Sequence, residues 1–156
     1  MSKINIRKVI VSVSDKSLLE KIGNYFLKYD VTVLSTGGTF NFLKKKFPKL
    51  KLMEIGFYTG FKEILDGRVK TLNPKIHASL LFKRSNINHE KIFKKLNFPK
   101  IDFVIVNFYP FSKISIKNNE NEKIEMIDIG GPSLIRSASK NFKYVTSISS
   151  KNYYSS

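Results

Sequence analysis

Apolar residues along this chain alternate between two periods, and the changes of period mark out the elements. Lys8-Val9-Ile10-Val11-Ser12-Val13-Ser14 is a β-branched run closing in small polar residues, which predicts a buried strand. From Ser17 to Leu27 the apolar positions fall at helical spacing, with Ser14 or Asp15 as the expected N-cap. Val31-Thr32-Val33-Leu34 predicts a second strand; it runs into Ser35-Thr36-Gly37-Gly38-Thr39, and a helical pattern follows from Phe40 to Lys46. Strand, helix, strand, loop and helix at this spacing open a βαβα unit, so the fold class expected is α/β with a parallel sheet.

Further strands are expected over Leu50 to Ile55, Asp102 to Val106 and Tyr144 to Ile148. Asn88 to Leu96 reads as an exposed amphipathic helix, and Lys117 to Lys123 as a polar loop or the start of a short helix. Pro132, just after Gly130-Gly131, suits the first turn of a helix reaching about Ser139. No internal repeat or low-complexity linker breaks the pattern, so residues 1–156 are expected to form a single domain.

Composition changes this picture mainly by exclusion. There is no cysteine, which removes disulfide scaffolds, thiolate metal sites and cysteine nucleophiles. No apolar run approaches the roughly 20 residues a membrane helix needs, and Met1-Ser2-Lys3-Ile4-Asn5 does not look like a signal peptide. A cytoplasmic protein with no membrane partner is expected. The net charge of +16 invites a nucleic-acid partner, but 24 of the 28 basic residues are Lys rather than Arg. Lys, Asn, Ile, Phe and Tyr, all encoded by A/T-rich codons, fill 75 of the 156 positions. Compositional bias therefore explains most of the charge, and no nucleic-acid partner is expected.

Ligands of open α/β sheets bind outside the carboxyl ends of the strands, where this chain concentrates polar residues. Ser14-Asp15-Lys16 follows the first strand. Ser35-Thr36-Gly37-Gly38-Thr39 follows the second, and its glycines, hydroxyls and helix start suit a phosphate, although it is neither a Walker loop nor a dinucleotide fingerprint. A strand-to-helix turn requires glycine in any case, so this segment alone is a weak signal. Gly67-Arg68-Val69-Lys70-Thr71-Leu72-Asn73-Pro74 places two cations two residues apart in a turn-rich stretch. Asn107-Phe108-Tyr109-Pro110-Phe111 and Ile127-Asp128-Ile129-Gly130-Gly131-Pro132 supply a phenol and a carboxylate, with Lys140 near the end of the last helix. Aromatic packing, for Tyr109, and helix capping or dipole roles, for Asp128 and Lys140, are the simpler alternatives. His77 and His89 lack a carboxylate at ligand spacing, so neither a metal site nor a Ser–His–Asp triad is expected.

Taken together and in order, seven segments resemble a known family. They are Val11 to Lys16, Leu34 to Thr39, Tyr58 to Phe61, Asp66 to Leu72, Val106 to Phe111, Ile127 to Ser133 and Ser139 to Asn141. The family is the N-terminal IMP cyclohydrolase domain of the bifunctional AICAR transformylase/IMP cyclohydrolase, in the methylglyoxal-synthase-like superfamily. The resemblance runs from about Lys8 to Tyr153 and implies a Rossmann-like three-layer α/β domain. It implies closure of formyl-AICAR (FAICAR) to IMP with loss of water, with no cofactor and no metal. Carried over by position, Lys70, Tyr109, Asp128 and Lys140 are the implied catalytic residues. Ser14, Asp15, Lys16, Thr36, Gly37, Gly38, Thr39, Arg68, Val69, Thr71, Val106, Asn107, Ile129 and Gly130 are the implied substrate-binding residues.

That chemistry gives each residue type a task. The carboxamide nitrogen attacks the formyl carbon, an oxyanion develops, and protons move before water leaves. Lys70 would stabilise the oxyanion, Lys140 would shuttle protons, Asp128 would orient the carboxamide, and Tyr109 would donate a hydrogen bond. The family usually has His where Asn73 and Phe142 stand here, and it usually continues into a transformylase domain, which is not expected in these 156 residues. The resemblance further implies a homodimer. A non-catalytic domain of the same superfamily, binding a phosphorylated effector, is the alternative.

Overall fold

The computed structural model describes residues 5–61, 64–109 and 119–154. Within them, Lys8–Val13 (β1), Thr32–Ser35 (β2), Leu52–Glu54 (β3), Phe103–Asn107 (β4) and Thr146–Ile148 (β5) build one sheet in the order β3-β2-β1-β4-β5. Every pairing is parallel, with Val11 opposite Ser35 on one side of β1 and Val13 opposite Asn107 on the other. A parallel sheet is covered on both faces, and that explains why β1 is apolar at consecutive positions rather than at alternate ones.

The period of two divides the core. Val9, Val11 and Val13 pack on one face with Leu19, Ile22 and Phe26 of the helix Leu19–Lys28 (α1) and Leu43 of Gly37–Lys46 (α2). Ile10 and Leu34 pack on the other face. They meet Ile55 of Ile55–Thr59 (α3), Ile76 and Leu80 of Pro74–Leu81 (α4), and Leu134 and Ala138 of Gly130–Lys140 (α7). Each fully buried aliphatic side chain contributes about 1.5–3 kcal/mol, so both faces are needed to hold the three layers. Ile87–Leu96 (α5) lies on the periphery, and Glu120–Glu125 (α6) precedes α7. At the amino end of β4, buried Asp102 pairs with Arg84 at 2.8 Å and accepts the Arg7 and Lys8 amides, tying the sheet together away from its carboxyl edge.

From β1 the chain first builds outward through β2 and β3, then returns to the opposite side with β4 and β5. The reversal opens a crevice at the carboxyl ends of β1 and β4, the position where sheets of this kind bind ligands.

Several boundaries differ from those the pattern predicts. The N-cap of α1 is Leu18, in a left-handed conformation at φ 65°, not Ser14 or Asp15. Asp15 instead accepts the Ser17 amide at 2.8 Å, a local turn that delays the helix. Helix α2 starts at Gly37 rather than Phe40, so Gly37, Gly38 and Thr39 form its first turn. Ile55 leaves the expected third strand to begin α3, whose N-cap Glu54 accepts the Phe57 amide. Helix α4 was not anticipated; Asn73 caps it by accepting the Lys75 amide at 2.9 Å, and Pro74 fills its first position. The helix expected from Asn88 is α5, and it buries Phe93. Pro110, Phe111 and residues 117–118 lie outside the described residues.

Candidate functional site

Five segments at the carboxyl edge of the sheet enclose a cleft of about 810 Å³. Its walls come from the end of β1 (Ser12, Val13, Ser14 and Lys16), the start of α2 (Thr36 to Thr39) and the turn before α4 (Asp66, Gly67, Arg68, Lys70 and Thr71). The end of β4 (Asn107 and Tyr109) and the α6–α7 junction (Ile124, Glu125, Ile127 to Gly131) complete it.

One end of the cleft is built for an anion. Thr36 is the extended N-cap residue of α2 and makes no side-chain cap, so the first-turn amides of the helix face the cleft without that partner. Gly37 adopts φ +47°, and a Cβ there would stand 3.4 Å from Lys70 Nζ; a Cβ on Gly38 would stand 3.4 Å from Lys16 Nζ. The two glycines thus let two ammonium groups close over one helix start. Lys16 reaches that place because its Nζ donates to the Ser14 carbonyl at 3.3 Å. The approach of Lys70 is set by Leu65, Asp66 and Gly67, three consecutive residues at φ 51°, 52° and 88°. Left-handed backbone costs roughly 1–2 kcal/mol at each non-glycine residue, strain stored where the turn is aimed into the cleft.

The lining also carries an apolar group: Tyr109, Ile124, Ile127 and Ile129 are 45–55% exposed within the same cleft. Formal charge in the cleft balances: Lys16, Arg68 and Lys70 stand against Asp66, Glu125 and Asp128. Arg68 is bonded to Glu125, whereas Asp128 is engaged with its own helix, accepting the Gly131 amide at 2.8 Å. Positive potential is therefore concentrated at the start of α2, and the +16 of the whole chain is not what makes the anion end.

Several hydroxyls and amides expected to touch a ligand also brace the walls of the cleft. Thr39 is buried, its Oγ1 donating to the Val13 carbonyl at 2.9 Å and accepting the Val13 amide at 3.1 Å. Asn107 Oδ1 accepts the Ser14 and Asp15 amides at 2.7 and 3.0 Å, and its Nδ2 donates to the Asp15 carbonyl at 2.8 Å. Thr71 packs on Gly130, where any Cβ would come within 2.5 Å of its hydroxyl oxygen. The first two sets of contacts fix the β1 exit turn against α2 and β4, and the third sets the turn before α4 against the start of α7.

Of the residues expected from sequence, the structure brings Ser14, Lys16, Thr36 to Thr39, Arg68, Lys70, Thr71, Asn107, Tyr109, Asp128, Ile129 and Gly130 to the cleft. Asp15, Val69, Val106 and Lys140 are not in its lining. Asp15 turns outward to Lys151 at 2.7 Å, and that ion pair, together with the Ser17 contacts, holds its carboxyl well below the usual carboxylate range. Lys140 closes the 11-residue helix α7, whose length places it roughly 15 Å from Gly130. Sequence reasoning did not name Ser12, Val13, Asp66, Gly67, Ile124, Glu125, Ile127 or Gly131 as site residues. No local motif marks Glu125; only its contact with Arg68, 57 positions away, gives it a role.

His77 sits on α4 outside the cleft, its Nδ1 2.9 Å from Ser137 Oγ and its Nε2 buried without a hydrogen bond. Burial pushes its pKa below 6.5, against the opposing pull of the Thr71 backbone. Among the described residues no group of three or more His, Asp or Glu side chains could hold a metal ion, and no helix is long and apolar enough to cross a membrane.

The MGS-like domain family matches residues 19–133, a span that runs from α1 through the start of α7 and holds most of the cleft. The chain belongs to this family. Within it, the bifunctional purine biosynthesis protein PurH of Thermoanaerobacter sp. (strain X514) is 45% identical over 142 residues, 90% of this chain and 28% of that protein. PurH of Clostridium beijerinckii is 44% identical over 149 residues, covering 95% of this chain and 29% of the relative. This MGS-like chain thus spans under a third of the curated relatives it matches. A solved structure, titled "Crystal structure of ForH", superposes with a TM-score of 0.84 at 28% identity, over 96% of this chain and 74% of the other. The α/β fold expected of the MGS-like family is therefore the fold observed.

Proposed function

We propose that the chain is an IMP cyclohydrolase that closes FAICAR to IMP and water. The observation that carries this reading is the mixed lining of one cleft: paired ammonium groups over the start of α2, with Ile124, Ile127, Ile129 and Tyr109 in the same cavity. A purine nucleoside monophosphate has the same polarity, a dianion joined through a sugar to a flat heterocycle. Kinship with purine biosynthesis proteins supports the choice of nucleotide.

In this reading the phosphate takes the α2 amides, Lys16 and Lys70, and the heterocycle lies on the isoleucines. Held so, the carboxamide nitrogen attacks the formyl carbon of the same molecule, forming the C–N bond while the formyl π electrons become an oxyanion. That oxygen takes a proton as the attacking nitrogen gives one up; the formamido nitrogen then loses its proton, the hydroxyl takes a second proton and leaves as water, and the C=N bond forms to the formamido nitrogen. Asp128, fixed by the Gly131 amide, keeps a second carboxylate oxygen for the carboxamide N–H. Tyr109 supplies a phenol at the same wall. Both reacting groups already belong to one molecule, so the cleft contributes by fixing their rotamers in attack geometry rather than by bringing reactants together. The catalytic group drawn from this cleft is Lys70, Tyr109 and Asp128; Lys140, at the far end of α7, does not reach it within one chain.

The distance of Lys140 favours a second reading, a domain that binds a phosphorylated nucleotide without converting it. One experiment separates the two. Purified protein is mixed with FAICAR and IMP formation followed by absorbance, with Lys70→Ala and Asp128→Ala alongside. Turnover that falls by about 10²-fold or more in either variant is expected. Absence of turnover in the wild type, with IMP still bound, moves the reading to a binding domain.

A further inference from the structure

The carboxyl-terminal turn, residues Lys151–Tyr153 with Tyr154, lies more than 130 positions from the exit of β1 yet is fastened to it. Lys151 Nζ binds Asp15 Oδ2 at 2.7 Å and Ser17 Oγ at 3.0 Å. Those two residues flank Lys16, the cation that reaches over Gly38. Tyr154 packs its ring on the core beneath α1, with its hydroxyl buried beside the Asn107 side chain without closing a hydrogen bond. Asn107 shapes the same turn from inside through the Ser14 and Asp15 amides. The turn bearing Lys16 is thus held from both sides, by Asn107 within and by Lys151 without.

This grip is needed because the segment lacks ordinary support. Helix α1 begins only at Leu19, its N-cap Leu18 is left-handed, and no side chain caps it. The local ties are Leu19 N–H to the Lys16 carbonyl at 3.1 Å and Ser17 N–H to Asp15 Oδ1 at 2.8 Å. Left to those ties, the Lys16 backbone has more freedom than with Lys151 in place, and its long side chain magnifies it.

We propose that Lys151 is a positioning residue for the anion end of the cleft, setting Lys16 by gripping the residues on either side of it. The proposal rests on the reading that the phosphate of the nucleotide binds at Lys16, Lys70 and the start of α2. Lys151 itself touches no ligand. Its effect passes through backbone geometry, and displacement of a binding group by about 1 Å is enough to cost an order of magnitude or more.

The test uses the full chain and IMP titrated by calorimetry, with amide exchange over residues 14–19 measured in the absence of ligand. Lys151→Ala is expected to weaken IMP binding up to about fivefold. Lys151→Arg, which retains the Asp15 pair, is expected to restore most of that loss. The decisive variant is Asp15→Asn. It raises the net charge by one, so a simple field effect tightens binding of an anion, whereas loss of the grip weakens it. Binding of Asp15→Asn equal to or tighter than wild type overturns the proposal, as does Lys151→Ala within about twofold of wild type. If wild-type protein fails to bind IMP, the functional reading falls, and exchange decides the positioning claim separately. Lys151→Ala must then speed exchange at residues 16–19 relative to the β1 core; unchanged protection overturns it.

Discussion

Replacing Thr39 with valine separates the structural from the ligand-binding role of this hydroxyl. The β1–β2 ladder ends at Ser35 opposite Val11, and Thr39 takes over for Val13 by accepting its N–H at 3.1 Å and donating to its C=O at 2.9 Å. Thr39 is 4% exposed, so water has little access to replace either bond. Valine matches the shape of threonine and opens no cavity; the cost is therefore that of two lost bonds and the polar groups they leave behind. At about 1–3 kcal/mol for each buried orphan, discounted for relaxation at the strand end, we expect a loss of about 2–3 kcal/mol. A chain of this size loses roughly 2–4 °C per kcal/mol, so Tm should drop by about 4–10 °C in thermal unfolding followed by circular dichroism. Thr39→Ser keeps the hydroxyl and should lose about 1 kcal/mol or less, from the methyl alone. IMP affinity, measured well below the transition, should change far less than stability does. A Thr39→Val protein melting within about 1 °C of wild type would refute the argument; if affinity alone collapsed, the hydroxyl would belong to the ligand.

Glu125→Gln releases Arg68 from its carboxylate partner in the cleft, so anion binding should tighten. An exposed pair of this kind is worth at most about 1 kcal/mol, which limits the gain to about fivefold in Kd by calorimetry; weaker binding would mean that Glu125 serves the ligand directly. His77 has a folded-state pKa below its ordinary 6.5, so the unfolded chain binds the extra proton first. Stability is complete above 6.5 and declines as the pH falls below it; urea unfolding at about pH 7.5 and pH 5.5 should show this decline in wild type and a flatter response in His77→Gln, and equal slopes would contradict the burial of the ring.

Local physics explains what the chain announces by itself. The β-branched run of β1, the helical spacing of α1 and the Val31 to Leu34 strand are set by period and propensity, and they suffice for a parallel α/β sheet. The glycines at 37 and 38 marked a strand-to-helix turn with room for an anion, a signal weak by itself because such a turn requires glycine in any case. Helix α4 was not legible, since Asn73-Pro74 reads as a turn until the cap and the proline are seen to start a helix. The α1 cap was misplaced for a similar reason: Asp15 has cap chemistry, but Ser17 and Lys151 compete for its carboxylate, and only the fold brings Lys151 there.

Sequence alone determined the class of fold and the order of its five strands, which follow from neighbours along the chain, while the family resemblance named most cleft residues. Tertiary structure decided what each of them does. It gave Thr39 and Asn107 bracing bonds within the cleft wall, paired Arg68 with Glu125, set Lys16 and Lys70 over one helix start, and left Lys140 at the far end of α7. A hydroxyl, an amide or an ammonium has the same chemistry wherever it stands. Its role is fixed by which distant group reaches it first, and here those partners lie 26 to 136 positions away.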